Sequence, residues 1–136
     1  MIVVEFIVSL PTPQPLDVGP QVVLDRIKRG SDALCKFLLD LTCGFTTMAC
    51  KGAWRNPETQ EVMAEDGVLV KVAFEPGDVE PKTRALRDFL TGTLGPMWRQ
   101  QAIYFQVGTI AEILQCEQPE EAPASEPPVK SNLLIN

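Results

Sequence analysis

The chain has 136 residues, the size of one domain, and is 45% hydrophobic and 22% charged, so it can bury a core and is not disordered throughout. Its net charge of −6 argues against a protein that binds nucleic acid through the phosphates. It contains no histidine, which excludes Ser-His-Asp and Cys-His catalysis, zinc held by histidine and an imidazole general base.

The N-terminal segment predicts neither a signal peptide nor a membrane span. Met1–Leu10 is apolar but contains Glu5, and no basic residue precedes it. Prolines from Pro11 onward end the apolar run well short of the roughly 20 residues that cross a bilayer. We therefore expect a cytoplasmic protein. Its four cysteines show no C-x-x-C spacing, so we expect free thiols, most of them buried.

The first third of the chain predicts a strand followed by a helix. Alternating residues over Ile2–Leu10 favour a strand, and a loop with several prolines follows it. Over Gln21–Leu41 the apolar residues recur at helical spacing. Gly30 interrupts that stripe, so it either separates two helices or bends a single one.

The middle of the chain predicts two or three strands. Phe45–Arg55 alternates in hydropathy, Gln60–Ala64 is a candidate short strand, and Val68–Glu75 has the clearest alternation. Asp66-Gly67 is a dipeptide typical of tight turns, so we expect the chain to reverse there.

The last third predicts a helix over Pro81–Leu94 and a strand over Ala102–Val107. The sequence does not decide whether the segment Thr109–Leu114 is a helix or a strand. Thr109 and Glu112 have the spacing of a helix capping box, whereas the β-branched residues of the segment equally allow a strand.

The order strand, helix, strand, strand, helix, strand predicts an α+β fold of the ferredoxin-like split βαββαβ type. Such a fold has a four-stranded antiparallel sheet with two helices on one face. We assign it to residues 1–116. Residues 117–136 predict an acidic tail rich in proline and glutamate that ends in a short apolar motif. That tail has four acidic residues and one basic residue, so half of the net charge lies outside the predicted domain.

Part of the sequence resembles a bacterial family of small ferredoxin-like proteins of unknown function. In that family a strand reading G-L-T-V precedes a G-x-W-R turn, a hydrophobic return strand, a helix and a short Q-x-x-V strand. The similar segments cover about half of the chain and are Gly44–Thr47, Lys51–Pro57, Val68–Phe74 and Gln100–Phe105. The first third departs from the pattern, because prolines stand where the family has an aromatic and glycine-rich segment. The resemblance implies the fold and no activity.

Two Trp-Arg dipeptides are the first candidate binding residues. Trp54 and Arg55 at a hairpin end can hold a carboxylate or an aromatic group, or else Trp54 covers the edge of the core and Arg55 is solvated. Trp98 and Arg99 repeat the dipeptide before the last main strand. A shared site and a coincidence are both possible, since the fold need not bring these loops together.

Two further groups of residues lie outside these dipeptides. Glu61, Glu65 and Asp66 indicate a solvated acidic hairpin rather than a metal or acid–base site. At the end of the tail, the apolar motif made of Leu133, Leu134 and Ile135 resembles a linear motif that docks in a groove or adds a strand to a sheet edge.

These observations favour a non-catalytic protein-binding and oligomerising module, such as a phage or plasmid accessory protein. We expect a homo-oligomer or another protein partner, because the edge strands of an open sheet favour pairing. The alternative is a regulatory domain that binds a small molecule near the Trp54 and Trp98 loops. An enzyme that uses glutamate, tyrosine or cysteine is the third hypothesis. We predict no catalytic residue, cofactor, metal, nucleic-acid partner or membrane partner.

Overall fold

The computed structural model describes residues 1–118, so most of the predicted tail lies outside the described residues. The strands are β1 (Ile2–Ser9), β2 (Thr46–Arg55), β3 (Val62–Phe74), β4 (Ala102–Val107) and β5 (Ile110–Gln115). The helices are α1 (Pro20–Leu41), α2 (Val79–Phe89) and the short α3 (Gly95–Met97). A 3-10 turn (Pro76–Asp78) precedes α2, and a π-helical turn (Leu90–Leu94) joins α2 to α3.

The five strands form one antiparallel sheet in the order β2-β3-β1-β4-β5. The predicted ferredoxin-like sheet of four strands is therefore wrong, while the α+β class is confirmed. The additional strand is β5, the segment whose helix-or-strand character was open. Gly108 has a φ of +60°, which lets the chain reverse directly after β4. Glu112 forms an ion pair with Arg87 of α2 at 2.6 Å, so it ties β5 to the helical layer and does not cap a helix.

The predicted turn at Asp66-Gly67 is also wrong, because β3 runs straight through it. Gly67 lies opposite Ser9 of β1, and a Cβ there would lie 2.8 Å from the carbonyl oxygen of Val8. Asp66 lies opposite Lys51 of β2, and their side chains form an ion pair at 2.6 Å. The glycine is required for close approach to the central strand and not for a reversal of the chain.

Helix α1 continues unbroken through Gly30, so neither a helix end nor a second cap occurs there. Gly30 is buried against the indole of Trp98, which occupies the space where a Cβ would lie. The predicted second helix begins two residues earlier than expected and changes to π-helical geometry at Leu90.

The core lies between the helices and one face of the sheet. Its buried members alternate along the strands and recur along the helices. They include Val4, Phe6, Val8, Leu34, Leu38, Val70, Val72, Phe74, Leu86, Leu90, Leu94, Trp98, Ile103, Phe105 and Leu114.

All four cysteines are free thiols, but only Cys116 is buried and Cys50 is half-buried, so the expectation of mostly buried thiols is wrong. Across residues 1–118, none of the helices combines the length and the apolar character needed to cross a membrane.

Candidate functional site

A polar cavity of about 360 Å³ lies where β1 ends. The last pair between β1 and β3 joins Ser9 to Gly67, whereas the β2–β3 hairpin continues to Arg55 and Val62. The protruding part of β3 forms one wall of the cavity, the loop after β1 forms the second, and residues 98–100 form the third. The volume lies within the range of about 300–1,000 Å³ that small-molecule sites have.

Glu65 places a carboxylate with fixed geometry in this cavity. Its Oε1 accepts a hydrogen bond from Ser9 Oγ at 2.7 Å, and its Oε2 accepts one from Trp54 Nε1 at 3.3 Å. Glu65 is exposed, so a ligand can reach it. The earlier interpretation of Glu65 as part of a solvated acidic hairpin misses both contacts, because they connect residues 56 and 11 positions apart.

Gln100 holds the end of β1 from the opposite side. Its Oε1 accepts a hydrogen bond from the Ser9 backbone N–H, and its Nε2 donates one to the Ser9 carbonyl oxygen, both at 3.0 Å. The pairing of β1 with β4 ends at Ile7, and beyond it the buried side-chain amide of Gln100 makes the hydrogen bonds that a neighbouring strand would make. Ser9 is therefore fixed through its backbone while its hydroxyl group orients Glu65.

Trp98 contributes to the third wall and is only 3% exposed. Its Nε1 donates a hydrogen bond to the carbonyl oxygen of Arg26 in α1 at 3.0 Å. The indole reaches that carbonyl because Gly30, one turn later, has no side chain in the way. Packing between α1 and the cavity therefore depends on one glycine.

Asp17 and Arg26 form an ion pair beside the cavity, with side chains only 10% and 12% exposed. The two guanidinium nitrogens of Arg26 donate to the two carboxylate oxygens at 2.7 and 3.1 Å. These bonds, a hydrogen bond from the Gln14 backbone N–H and the positive charges of Arg26 and Arg99 lower the pKa of Asp17 from 3.8 to about 2.

We expect the Asp17→Asn variant to reveal this pair as a pH-dependent contribution to stability. Because the folded state has the lower pKa, the contribution is complete above pH 3.8 and is lost as the pH falls toward 2. The difference in Tm between wild type and Asp17→Asn should therefore be largest near neutral pH and shrink between pH 4 and about 2. Thermal unfolding followed by circular dichroism across this range measures it.

The matched control is Asp32→Asn, which breaks an exposed pair with Lys28 on the same helix. Its effect on Tm should be smaller, since solvent screens the exposed pair. Equal Tm differences for the two variants at neutral pH would contradict the prediction.

The structure brings together three of the predicted binding residues. Trp98 and Arg99 line the cavity, and Trp54 reaches it through Glu65. Arg99 has a φ of +55°, a conformation uncommon for residues other than glycine and more frequent at functional sites. Arg55 instead contacts the end of the hairpin, where its Nη1 donates a hydrogen bond to the carbonyl oxygen of Gln60. The apolar motif of Leu133, Leu134 and Ile135 lies outside the described residues.

Two solved structures share this fold. One is a phage SAM lyase in complex with S-methyl-5'-thioadenosine, with 15% sequence identity and a TM-score of 0.51 over 85% of this chain and 90% of that chain. The other is a phage SAM lyase in the apo state, with 18% identity and a TM-score of 0.51 over 88% and 92% of the two chains. No protein-family model matches the chain, and no curated protein is significantly similar to it in sequence.

These likenesses overturn the functional hypothesis from the sequence. The chain was expected to be a non-catalytic binding module, whereas the structures that it is similar to are enzymes. The missing histidine excluded several catalytic mechanisms, but it does not exclude catalysis that needs no imidazole. The expected homo-oligomer, the lack of a nucleic-acid partner and the resemblance to a bacterial family stay predictions.

Four residues of the site were not predicted from the sequence: Ser9, Gln100, Asp17 and Arg26. Each acts through a partner distant in sequence or within a loop, and no local motif marks them. The only available signal was the position of the polar residues Ser9 and Gln100 at the ends of predicted strands.

Proposed function

We propose that this chain is a lyase that cleaves S-adenosylmethionine (SAM) and releases S-methyl-5'-thioadenosine. The observation that carries the proposal is the similarity of nearly the whole described fold to phage SAM lyase. The cavity at the end of β1 supports it, because it offers an acidic wall, a basic residue and an apolar surface to a nucleoside that carries a sulfonium, an ammonium and a carboxylate group. The cytoplasmic location expected from the sequence belongs to this proposal, since SAM is made and used inside cells.

The reaction needs little from the protein beyond positioning. In SAM a sulfonium carries the methyl group, the adenosyl group and the γ-carbon of the amino acid, so release of S-methyl-5'-thioadenosine breaks the bond from sulfur to the γ-carbon. The electron pair of that bond goes to sulfur. The carboxylate of the same molecule forms the new bond to the γ-carbon, and homoserine lactone is the second product. No water, cofactor or protein nucleophile enters, which fits a chain without histidine.

Charge considerations assign parts of the substrate to the walls. The sulfonium loses its charge during the reaction, so a carboxylate beside it would stabilise the substrate more than the transition state. We therefore place the sulfonium near the apolar surface that Trp98 and Leu10 provide, and the α-ammonium group of SAM against Glu65. Holding the substrate carboxylate close to the γ-carbon then supplies the rate enhancement, as expected for intramolecular reactions with fixed geometry.

The test is the conversion of SAM by the purified full chain, with S-methyl-5'-thioadenosine and homoserine lactone measured by liquid chromatography and mass spectrometry. A reaction without protein measures spontaneous breakdown. Product formation above that background, proportional to protein concentration, is the expected result. No product above background would refute the proposal.

We expect Glu65→Gln to raise the KM for SAM by roughly ten-fold or more, because it removes one charge-assisted hydrogen bond to the ammonium group. The control is Glu58→Gln, which removes the same charge from the exposed tip of the same hairpin. That variant should keep the wild-type KM. Equal kinetic constants for Glu65→Gln and wild type would remove Glu65 from the site.

A further inference from the structure

The loop after β1 forms a short braced segment over the cavity. We call residues 11–17 the proline strap; Pro11, Thr12 and Gln14 of this strap line the cavity. The backbone N–H of Asp17 donates to the carbonyl oxygen of Gln14 at 2.9 Å, and the Gln14 N–H donates to Asp17 Oδ2 at 2.7 Å. Proline at every second position from 11 to 15 restricts the backbone further. The strap therefore behaves as one piece, with its turn closed at Asp17.

Arg26 links this strap to the wall formed by residues 98–100. Its guanidinium binds both carboxylate oxygens of Asp17, while its carbonyl oxygen accepts the hydrogen bond from Trp98 Nε1. One turn of α1 thus holds the two sides of the cavity at a fixed separation. The pair is well shielded from solvent, unlike the Lys28–Asp32 pair on the same helix, whose side chains are 74% and 68% exposed.

Loss of this pair is expected to change the position of the strap more than the packing of the core. Neither Asp17 nor Arg26 belongs to the buried apolar cluster. The ion pair joins the strap directly to α1. Two parallel hydrogen bonds from a guanidinium to a carboxylate fix both the distance and the orientation of the two groups, whereas a single hydrogen bond fixes only the distance.

We propose that the Asp17–Arg26 pair is a positioning device that sets the distance between the proline strap and Trp98, and with it the affinity of the cavity for SAM. The inference rests on the proposed function for its substrate, but its structural part is independent of catalysis. Asp17 and Arg26 are positioning residues and touch no reacting atom.

The kinetic test uses Asp17→Asn and Arg26→Lys in the full chain, with Asp32→Asn as the matched control. Both variants should raise the KM for SAM, Asp17→Asn by roughly ten-fold, while kcat changes by less than about three-fold. Arg26→Lys should fall between wild type and Asp17→Asn, because lysine keeps the charge and loses the fork. Asp32→Asn should keep the wild-type KM. A lower Tm in Asp17→Asn and Arg26→Lys with unchanged KM would reduce the pair to a stabilising contact and overturn the inference.

Amide hydrogen exchange separates this inference from the proposed function. Without any ligand, peptides covering residues 11–18 should exchange faster in Asp17→Asn than in wild type, while peptides from β1 and β3 keep their rates. If the strap shows this change but wild type does not cleave SAM, the proposed function fails and the positioning role stands. If exchange in the strap is unchanged, the positioning role is wrong whether or not the chain is active.

Discussion

Replacing Gly30 with alanine is expected to lower the free energy of unfolding by about 1–5 kcal/mol and to weaken the cavity wall. A Cβ at this position would overlap the indole of Trp98, which is buried and cannot move away without leaving the core. Overpacking of this kind costs about 1–3 kcal/mol, and displacing the indole also breaks its hydrogen bond to Arg26, which adds about 1–3 kcal/mol. The higher helix propensity of alanine returns only about 1 kcal/mol.

Chemical denaturation followed by circular dichroism measures this loss, and the fluorescence of Trp98 in a Trp54→Phe background reports whether the indole becomes exposed. The control is Gly44→Ala, where an added Cβ meets nothing within 4 Å. Gly44→Ala should leave stability within about 0.5 kcal/mol of wild type. If Gly30→Ala were as stable as Gly44→Ala, the packing of Trp98 on α1 would not be as the structure has it.

Replacing Phe6 with alanine is expected to cost about 3–5 kcal/mol, a large share of the total stability of a domain of this size. Phe6 is completely buried in the central strand, and its ring lies 6.5 Å from that of Phe105 at an angle of 19° between the planes. Removing it leaves a cavity between β1, β4 and the helices, and it also takes away the aromatic contact.

Val3→Ala provides the control for Phe6→Ala, since Val3 belongs to the same strand but is 46% exposed on the opposite face of the sheet. Val3→Ala should cost less than about 1 kcal/mol. Denaturant titrations of both variants test the assignment of the two faces. Comparable losses in the two variants would mean that the helices do not cover the face that carries Phe6.

Hydropathy periodicity was sufficient to predict the strands in which one buried face produces the alternation. The strand from Ile2 and the strand over Ala102–Val107 alternate because one face is buried, so their bounds could be read closely from the sequence. The errors arise where a long-range contact decides. Asp66-Gly67 has the composition of a turn, yet the backbone of Val8 requires a glycine there within a continuous strand. Gly30 looks like a helix break until the indole of Trp98 is known to occupy its side-chain space.

The number of strands was wrong for a related reason. The segment from Thr109 to Leu114 satisfies both a helix cap and a strand pattern, so local preferences cannot choose. Its state follows from the free edge of β4 and from Arg87, which takes Glu112 as its ion-pair partner. Arg87 is 25 positions from Glu112, which is outside the windows over which periodicity is read, and the edge of β4, although close in sequence, is available only within the assembled sheet.

The candidate site was visible in the sequence only in part. Trp98 and Arg99 stood out as a repeated dipeptide, and they do line the cavity with Glu65. The contacts that orient Glu65 join the end of the first strand to the middle of the chain, and these need the sheet register. The proposed reaction leaves no motif, because the substrate supplies its own nucleophile and the chain supplies shape.

The strand order has a consequence for synthesis of the chain on the ribosome. The first strand to be made occupies the centre of the sheet, between β3 and β4. Its second edge cannot be paired, and the contact of Phe6 with Phe105 cannot form, until residues near Val107 have left the exit tunnel. Nascent chains that stall earlier would expose this edge to chaperones and proteases, so we expect late folding during translation, with few stable partial products.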